Sequence, residues 1–217
     1  MKLRKFFWPI VGSAAVIFSI WLLYHELRGV SLDEMATSLD NISARSWLLA
    51  IGSTLVAYAA LAGYDRIALQ YLDRKVPWLF ITIGSFTTYA ISHNVGASVF
   101  SGAVVRYRAY GSKGLSAAEI GVLVAFCSFT FVFGVVLLTG LVFVLKPDIT
   151  ERFADILPAD LSRGTGYLLL GLVALYVAAS LFKLPPLTIR GFKLRYPSPD
   201  IVAQQLVIGP LEIIGAA

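Results

Sequence analysis

One cysteine, Cys127, stands in 217 residues, so the sequence has no intrachain disulfide and no cysteine metal cluster. Histidine is nearly as scarce. His25 and His93 lie in unlike contexts, with no H-E-x-x-H and no neighbouring ligands, so no metal site is expected. G-x-S-x-G, Walker and G-x-G-x-x-G patterns are all missing, which leaves nucleophilic and nucleotide chemistry without a motif and calls for no cofactor. Charged residues make up only 14% of the chain, against roughly 25% in soluble domains. A net charge of +5 then reports orientation in a bilayer rather than affinity for nucleic acid, and no direct nucleic-acid contact is expected.

What the sequence has in abundance is apolar length: 58% of residues are hydrophobic and the mean hydropathy is +0.77. Residues 6–24 form 19 positions without a formal charge, about 28 Å as a helix, which matches a hydrocarbon core of about 30 Å. Lys2, Arg4 and Lys5 precede this run as in a signal peptide, but its length and the lack of an A-x-A site mark an uncleaved anchor. Further uncharged runs cover residues 46–64, 120–145 and 164–182, and the first continues its apolar pattern to residue 72. The spans are therefore expected at about 6–24, 46–72, 115–145 and 164–182, with an incomplete one at 201–217.

Residues 76–105 also lack Lys, Arg, Asp and Glu, but Ser92-His93-Asn94-Val95-Gly96 and Gly102 interrupt them. A single crossing here splits the 18 Lys and Arg evenly between the two sides, whereas entry and return on one side places 13 inside. Because cytoplasmic loops carry the basic excess, a re-entrant hairpin of two limbs is favoured, with a cytoplasmic N-terminus; two short full crossings are the alternative. Irregular backbone at membrane depth needs protein or a wet cavity around it, so the hairpin is expected to line a cavity with Ser92, His93, Gly96, Ser101 and Gly102. The outer loops carry capping-box patterns at Ser31–Glu34 and Asp148–Glu151, each expected to open a short interfacial helix. The fold class is thus all-α: a polytopic integral membrane helical bundle with a re-entrant helical hairpin and short interfacial helices. Residues 1–217 read as a single membrane domain that stops in mid-pattern, as an N-terminal fragment of a longer one would.

Several polar residues stand out against this background. Arg106 and Arg108 follow the Gly- and Ser-rich limb, and a guanidinium can give a lipid phosphate two hydrogen bonds; positive-inside anchoring explains them equally well. Their two-residue offset points them in different directions. Asp65 closes an apolar run at the membrane boundary, where ionisable side chains tend to be paired or functional; Arg106 is a candidate partner, and a solvated interfacial carboxylate beside Arg66 is the alternative. Glu212 lies deep in the last stretch beside Pro210. Glu119 reads first as the capping box Ser116-Ala117-Ala118-Glu119, and Asn94 and His93 as side chains that satisfy backbone at the hairpin tip.

The run Tyr89-Ala90-Ile91-Ser92-His93-Asn94-Val95-Gly96-Ala97-Ser98-Val99-Phe100-Ser101-Gly102-Ala103-Val104-Val105-Arg106-Tyr107-Arg108, with Tyr64-Asp65-Arg66 and Glu119-Ile120-Gly121 through Phe133-Gly134, resembles the N-terminal membrane domain of bacterial lysylphosphatidylglycerol flippase/synthases, the multiple peptide resistance factor family. The resemblance implies the membrane part of a phospholipid flippase in the bacterial inner membrane. It would move lysyl-phosphatidylglycerol to the outer leaflet, in a family conferring resistance to cationic antimicrobial peptides. It also implies a covalently continuous C-terminal lysyltransferase domain using lysyl-tRNA, for which these residues leave no room. This segment is therefore not expected to be an enzyme itself, and homo-oligomerisation stays open. A lipid with one phosphate and two amines would need a cation and carboxylates, supplied by Arg106 with Asp65 and Glu212, and at lower rank by Arg108, Asn94 and Glu119. The alternatives are a non-transporting anchor and assembly platform for the synthase, or an intramembrane enzyme built on Asp65, His93 or Glu119.

Overall fold

The structure, a computed structural model, describes residues 13, 16–25, 31–95, 98–147, 159–182, 187–189, 192–194 and 196–216. The expected second interfacial helix after Asp148, the N-terminal half of the first span and Gly96 lie outside the described residues. The chain divides into two compact units, residues 1–50 and 51–217. In the first, α1 (Val16–His25) stacks Phe18 on Trp21 and sets Trp21 at a tilt against His25 along one face. Helix α2 (Leu32–Asp40) begins where its sequence pattern places it: Ser31 Oγ accepts the Glu34 N–H while Glu34 accepts the Ser31 N–H, so two backbone donors are satisfied reciprocally. The first residues of α3 (Ala44–Tyr71) complete this unit, and Ser43 Oγ accepts the Ser46 N–H at their start.

The second unit contains the rest of α3, then α4 (Trp78–Val95), α5 (Ser98–Gly111), α6 (Ala117–Leu145), α7 (Ala159–Leu181) and α8 (Pro199–Ala216). A two-stranded antiparallel ribbon, β1 (Leu187–Ile189) with β2 (Phe192–Leu194), sits between α7 and α8. Sequence periodicity gave no sign of it, since each strand has only three residues. Helices α3, α6 and α7 are long and apolar enough to cross a bilayer. Their outward positions and those of α4 are apolar, with Leu79 71% and Leu145 75% exposed, so this surface needs lipid and the chain is a helical membrane protein.

α3 is the central helix. Residues 60–65 and 67–69 are all buried, whereas a helix on a bundle surface buries one stripe. Around it, Tyr58 meets Phe86 of α4, Asp65 meets α5 and α6, and Gln70 meets Gln204 of α8. Lipid gives helices no hydrophobic reason to associate, so close approach and polar contacts hold them. Gly134 of α6 faces Gly209 of α8 so closely that a Cβ at residue 134 would lie 2.6 Å from the Gly209 carbonyl carbon. One turn away, buried Gln205 donates to Thr130 Oγ1 at 2.9 Å and accepts from the Tyr176 hydroxyl at 2.9 Å, joining α8 to α6 and α7.

The neutral stretch forms two helices running antiparallel. Gly84 of α4 lies beside Ala109 and Tyr110 of α5, while Thr88 and Ser92 lie beside Gly102. The start of α4 and the end of α5 therefore share one end of the bundle. The second limb is longer than the neutral run: it continues to Gly111, so Arg106 and Arg108 lie inside a helix rather than after one.

Candidate functional site

Gly102, Arg106 and Tyr110 recur every fourth residue of α5 and are all buried, whereas Val104, Tyr107 and Arg108 are exposed. This phase separates the two arginines. Arg106 turns inward to Asp65, which is fully buried on α3. Asp65 Oδ1 accepts from Arg106 Nη2 at 2.7 Å and Nε at 3.2 Å, and Oδ2 accepts from the Tyr110 hydroxyl at 2.6 Å. From α6, Cys127 Sγ reaches Oδ1 at 3.3 Å as a weak donor. The Arg106 guanidinium carbon lies 5.0 Å from the centroid of the Tyr89 ring on α4, within cation–π range. Four helices thus meet on one ion pair whose members side-chain burial removes from solvent.

The packing that lets α5 come so close depends on residue 102. A Cβ there would lie 2.7 Å from Ser92 Oγ, 3.2 Å from Thr88 Cγ2 and 3.7 Å from Arg106 Nη1. Ser92 turns its hydroxyl back to the Thr88 carbonyl at 2.7 Å, and neither Ser92 nor Gly102 leaves space between the limbs. His93 and Asn94 are exposed and bond the carbonyls four residues earlier, Tyr89 and Ala90, each at 2.7 Å. Ser101 is half-buried.

Glu212 is half-buried on α8 and does not join the Asp65 cluster. The Tyr64 hydroxyl lies 3.5 Å from its Oε2 and 3.4 Å from the Gly209 carbonyl, so a second carboxylate sits one α3 residue away from the first. Glu119 is elsewhere: it closes the capping box of α6, accepts the Ser116 N–H at 2.8 Å, and pairs with Arg74 at 2.7 Å. Of the expected head-group residues, the structure brings together Arg106 and Asp65 and leaves Arg108, Asn94 and Glu119 apart. The sequence did not assign Tyr110, Tyr89 or Cys127 to the site. The four-residue spacing from Arg106 would have found Tyr110; nothing local marks Cys127, which reaches Asp65 across 62 residues of chain. Among the described residues no group of three or more His, Cys, Asp or Glu could hold a metal. The cluster holds a buried charge pair, with the Cys127 thiol beside the Asp65 carboxylate and Arg106 and Tyr110 engaging both carboxylate oxygens.

No protein-family model matches the chain. It is 30% identical over 176 residues to an uncharacterized protein of Synechocystis sp., covering 81% of this chain and 54% of that protein. It is 32% identical over 113 residues to phosphatidylglycerol lysyltransferase of Staphylococcus epidermidis, covering 50% of this chain and 13% of that enzyme, with the same figures in two strains. The chain therefore spans about half the length of the first relative and a small part of the second. Half of this membrane chain shares ancestry with a segment of a phosphatidylglycerol lysyltransferase.

Proposed function

We propose that the chain is the membrane part of a phospholipid flippase that moves lysyl-phosphatidylglycerol to the outer leaflet of a bacterial inner membrane, with its N-terminus in the cytoplasm. The observation that carries this reading is the Asp65–Arg106 pair, buried where α3, α5 and α6 meet against the α4–α5 hairpin. Opening such a pair onto nothing would leave two uncompensated charges in a low dielectric. A phosphate alone would satisfy Arg106 and strand Asp65; an amine alone would do the reverse. A head group carrying both can replace one ion pair by two, Arg106 on the phosphate and Asp65 on an ammonium. In this reading Glu212, half-buried beside Tyr64, accepts the second ammonium as the head group moves. The likeness to a phosphatidylglycerol lysyltransferase supports the choice of lipid, since such an enzyme makes a phosphoglycerol bearing amines.

The test measures outer-leaflet lysyl-lipid, and total lysyl-lipid, in cells carrying the full-length protein with Arg106→Ala, Asp65→Ala or Glu212→Gln. Reduced surface exposure at equal total lipid is expected. Unchanged exposure would reject the assignments and favour an anchor or assembly platform for a lysyltransferase.

A further inference from the structure

The end of the bundle where α3 finishes and α4 begins holds a recess of about 350 Å³, lined by Arg66, Leu69, Gln70, Arg74, Lys75, Val76, Trp78 and Ile81. Its size falls within the roughly 300–1,000 Å³ of small-molecule sites. Basic residues at the end of a span are ordinary; three of them around one concave wall are not explained by anchoring alone. Two of the three are held in place. Arg66 stacks over Trp78, 5.2 Å from the ring centroid, and Arg74 is fixed by Glu119, which the α6 capping box orients in turn. Among the described residues no carboxylate pairs with Arg66 or Lys75, so the wall keeps net positive charge. Leu69, Val76 and Ile81 supply an apolar floor, and Trp78 is the kind of amphipathic ring found at head-group depth.

We infer that this recess binds the phosphate head group of an anionic glycerophospholipid, with Arg66 and Lys75 as its main cations and Gln70 as a neutral donor. Phosphate suits the wall because a guanidinium gives it paired, charge-assisted hydrogen bonds while a lysine adds a mobile point charge. A lipid suits the position because the floor is apolar and the half-exposed Trp78 borders it, and basic pockets between membrane helices take such head groups. This site shares no residue with the Asp65–Arg106 pair and needs no transport.

The experiment is native mass spectrometry of the full chain released from nanodiscs of equal phosphatidylglycerol and phosphatidylcholine. Wild type should retain phosphatidylglycerol preferentially. Arg66→Gln with Lys75→Gln should reduce that retention at least about tenfold, the effect of roughly 1.4 kcal/mol. Lys146→Gln, a single charge loss that matches Lys75→Gln and lies at the exposed C-cap of α6, should leave it unchanged. Displacement by millimolar glycerol 1-phosphate would support the phosphate site and identify a soluble ester as a competent occupant; no displacement would support the intact lipid. Equal retention of the two lipids by wild type, or the same loss in Lys146→Gln, would overturn the proposal. Because wild type alone can fail, poor folding of the double variant does not protect it, and Lys75→Gln alone gives a milder substitution. The surface-lipid assay for Arg106 reads a different result, so either idea can fall while the other stands.

Discussion

Arg106 and Asp65 are 41 residues apart in the chain and 2.7 Å apart in space, with both side chains almost wholly removed from solvent. Each neutralises a charge that the membrane interior would otherwise exclude. Tyr110 takes the second carboxylate oxygen, so Asp65 is satisfied on both sides. The pair is therefore also a joint between the central helix and the returning limb of the hairpin.

Breaking one side of that joint should cost more than removing it. Asp65→Asn and Arg106→Gln are each expected to destabilise the solubilised protein by about 3–5 kcal/mol, because each strands its partner's charge. The double variant should lose less than either single one, since no unpaired charge remains. Thermal unfolding in one detergent checks this, and additive losses would show that the two residues do not act as a pair.

Gly102 should be intolerant of a side chain in proportion to what faces it. Gly102→Ala is expected to cost about 1–3 kcal/mol, as overpacking does, because its Cβ would fall 2.7 Å from Ser92 Oγ. Adding Ser92→Ala removes the contacting oxygen and should recover part of the loss, with the 3.2 Å approach to Thr88 Cγ2 accounting for the remainder. Detergent-phase melting of the two single variants and the double variant reads the coupling. No recovery would mean that the limbs pack differently from the contacts described.

Antiparallel α4 and α5 bring both ends of the neutral stretch to one end of the bundle. Lys113 after α5 lies over the Phe80 ring near the start of α4, 4.5 Å from its centroid, which fixes the same neighbourhood from the other direction. Lys75→Cys and Lys113→Cys should therefore react with a membrane-impermeant maleimide from the same side in intact cells or inverted vesicles. Cys127 is buried and should contribute little background. Labelling from opposite sides would mean that residues 76–105 cross the membrane.

Much of the architecture is legible in the sequence. The uncharged runs mark α3, α6 and α7 because lipid forbids charge over such lengths, and the Ser31–Glu34 and Ser116–Glu119 patterns mark helix starts because four backbone donors must be satisfied there. The break in the neutral stretch was visible in its Gly, Asn and Ser content. Its second limb ran further than expected, to Gly111, because buried Arg106 has a partner and need not end the helix.

What the sequence alone determined is the class of solvent each segment must meet: apolar length, basic bias and capping chemistry are local, and local physics reads them. Which polar residues meet one another depends on how α3, α5, α6 and α8 cross, and no local rule carries that. The phase of α5 chose Arg106 over Arg108, the position of α6 added Cys127 to the carboxylate, and the α3–α4 corner turned scattered basic residues into one recess. Those relations span tens of residues, and only close packing in three dimensions makes them neighbours.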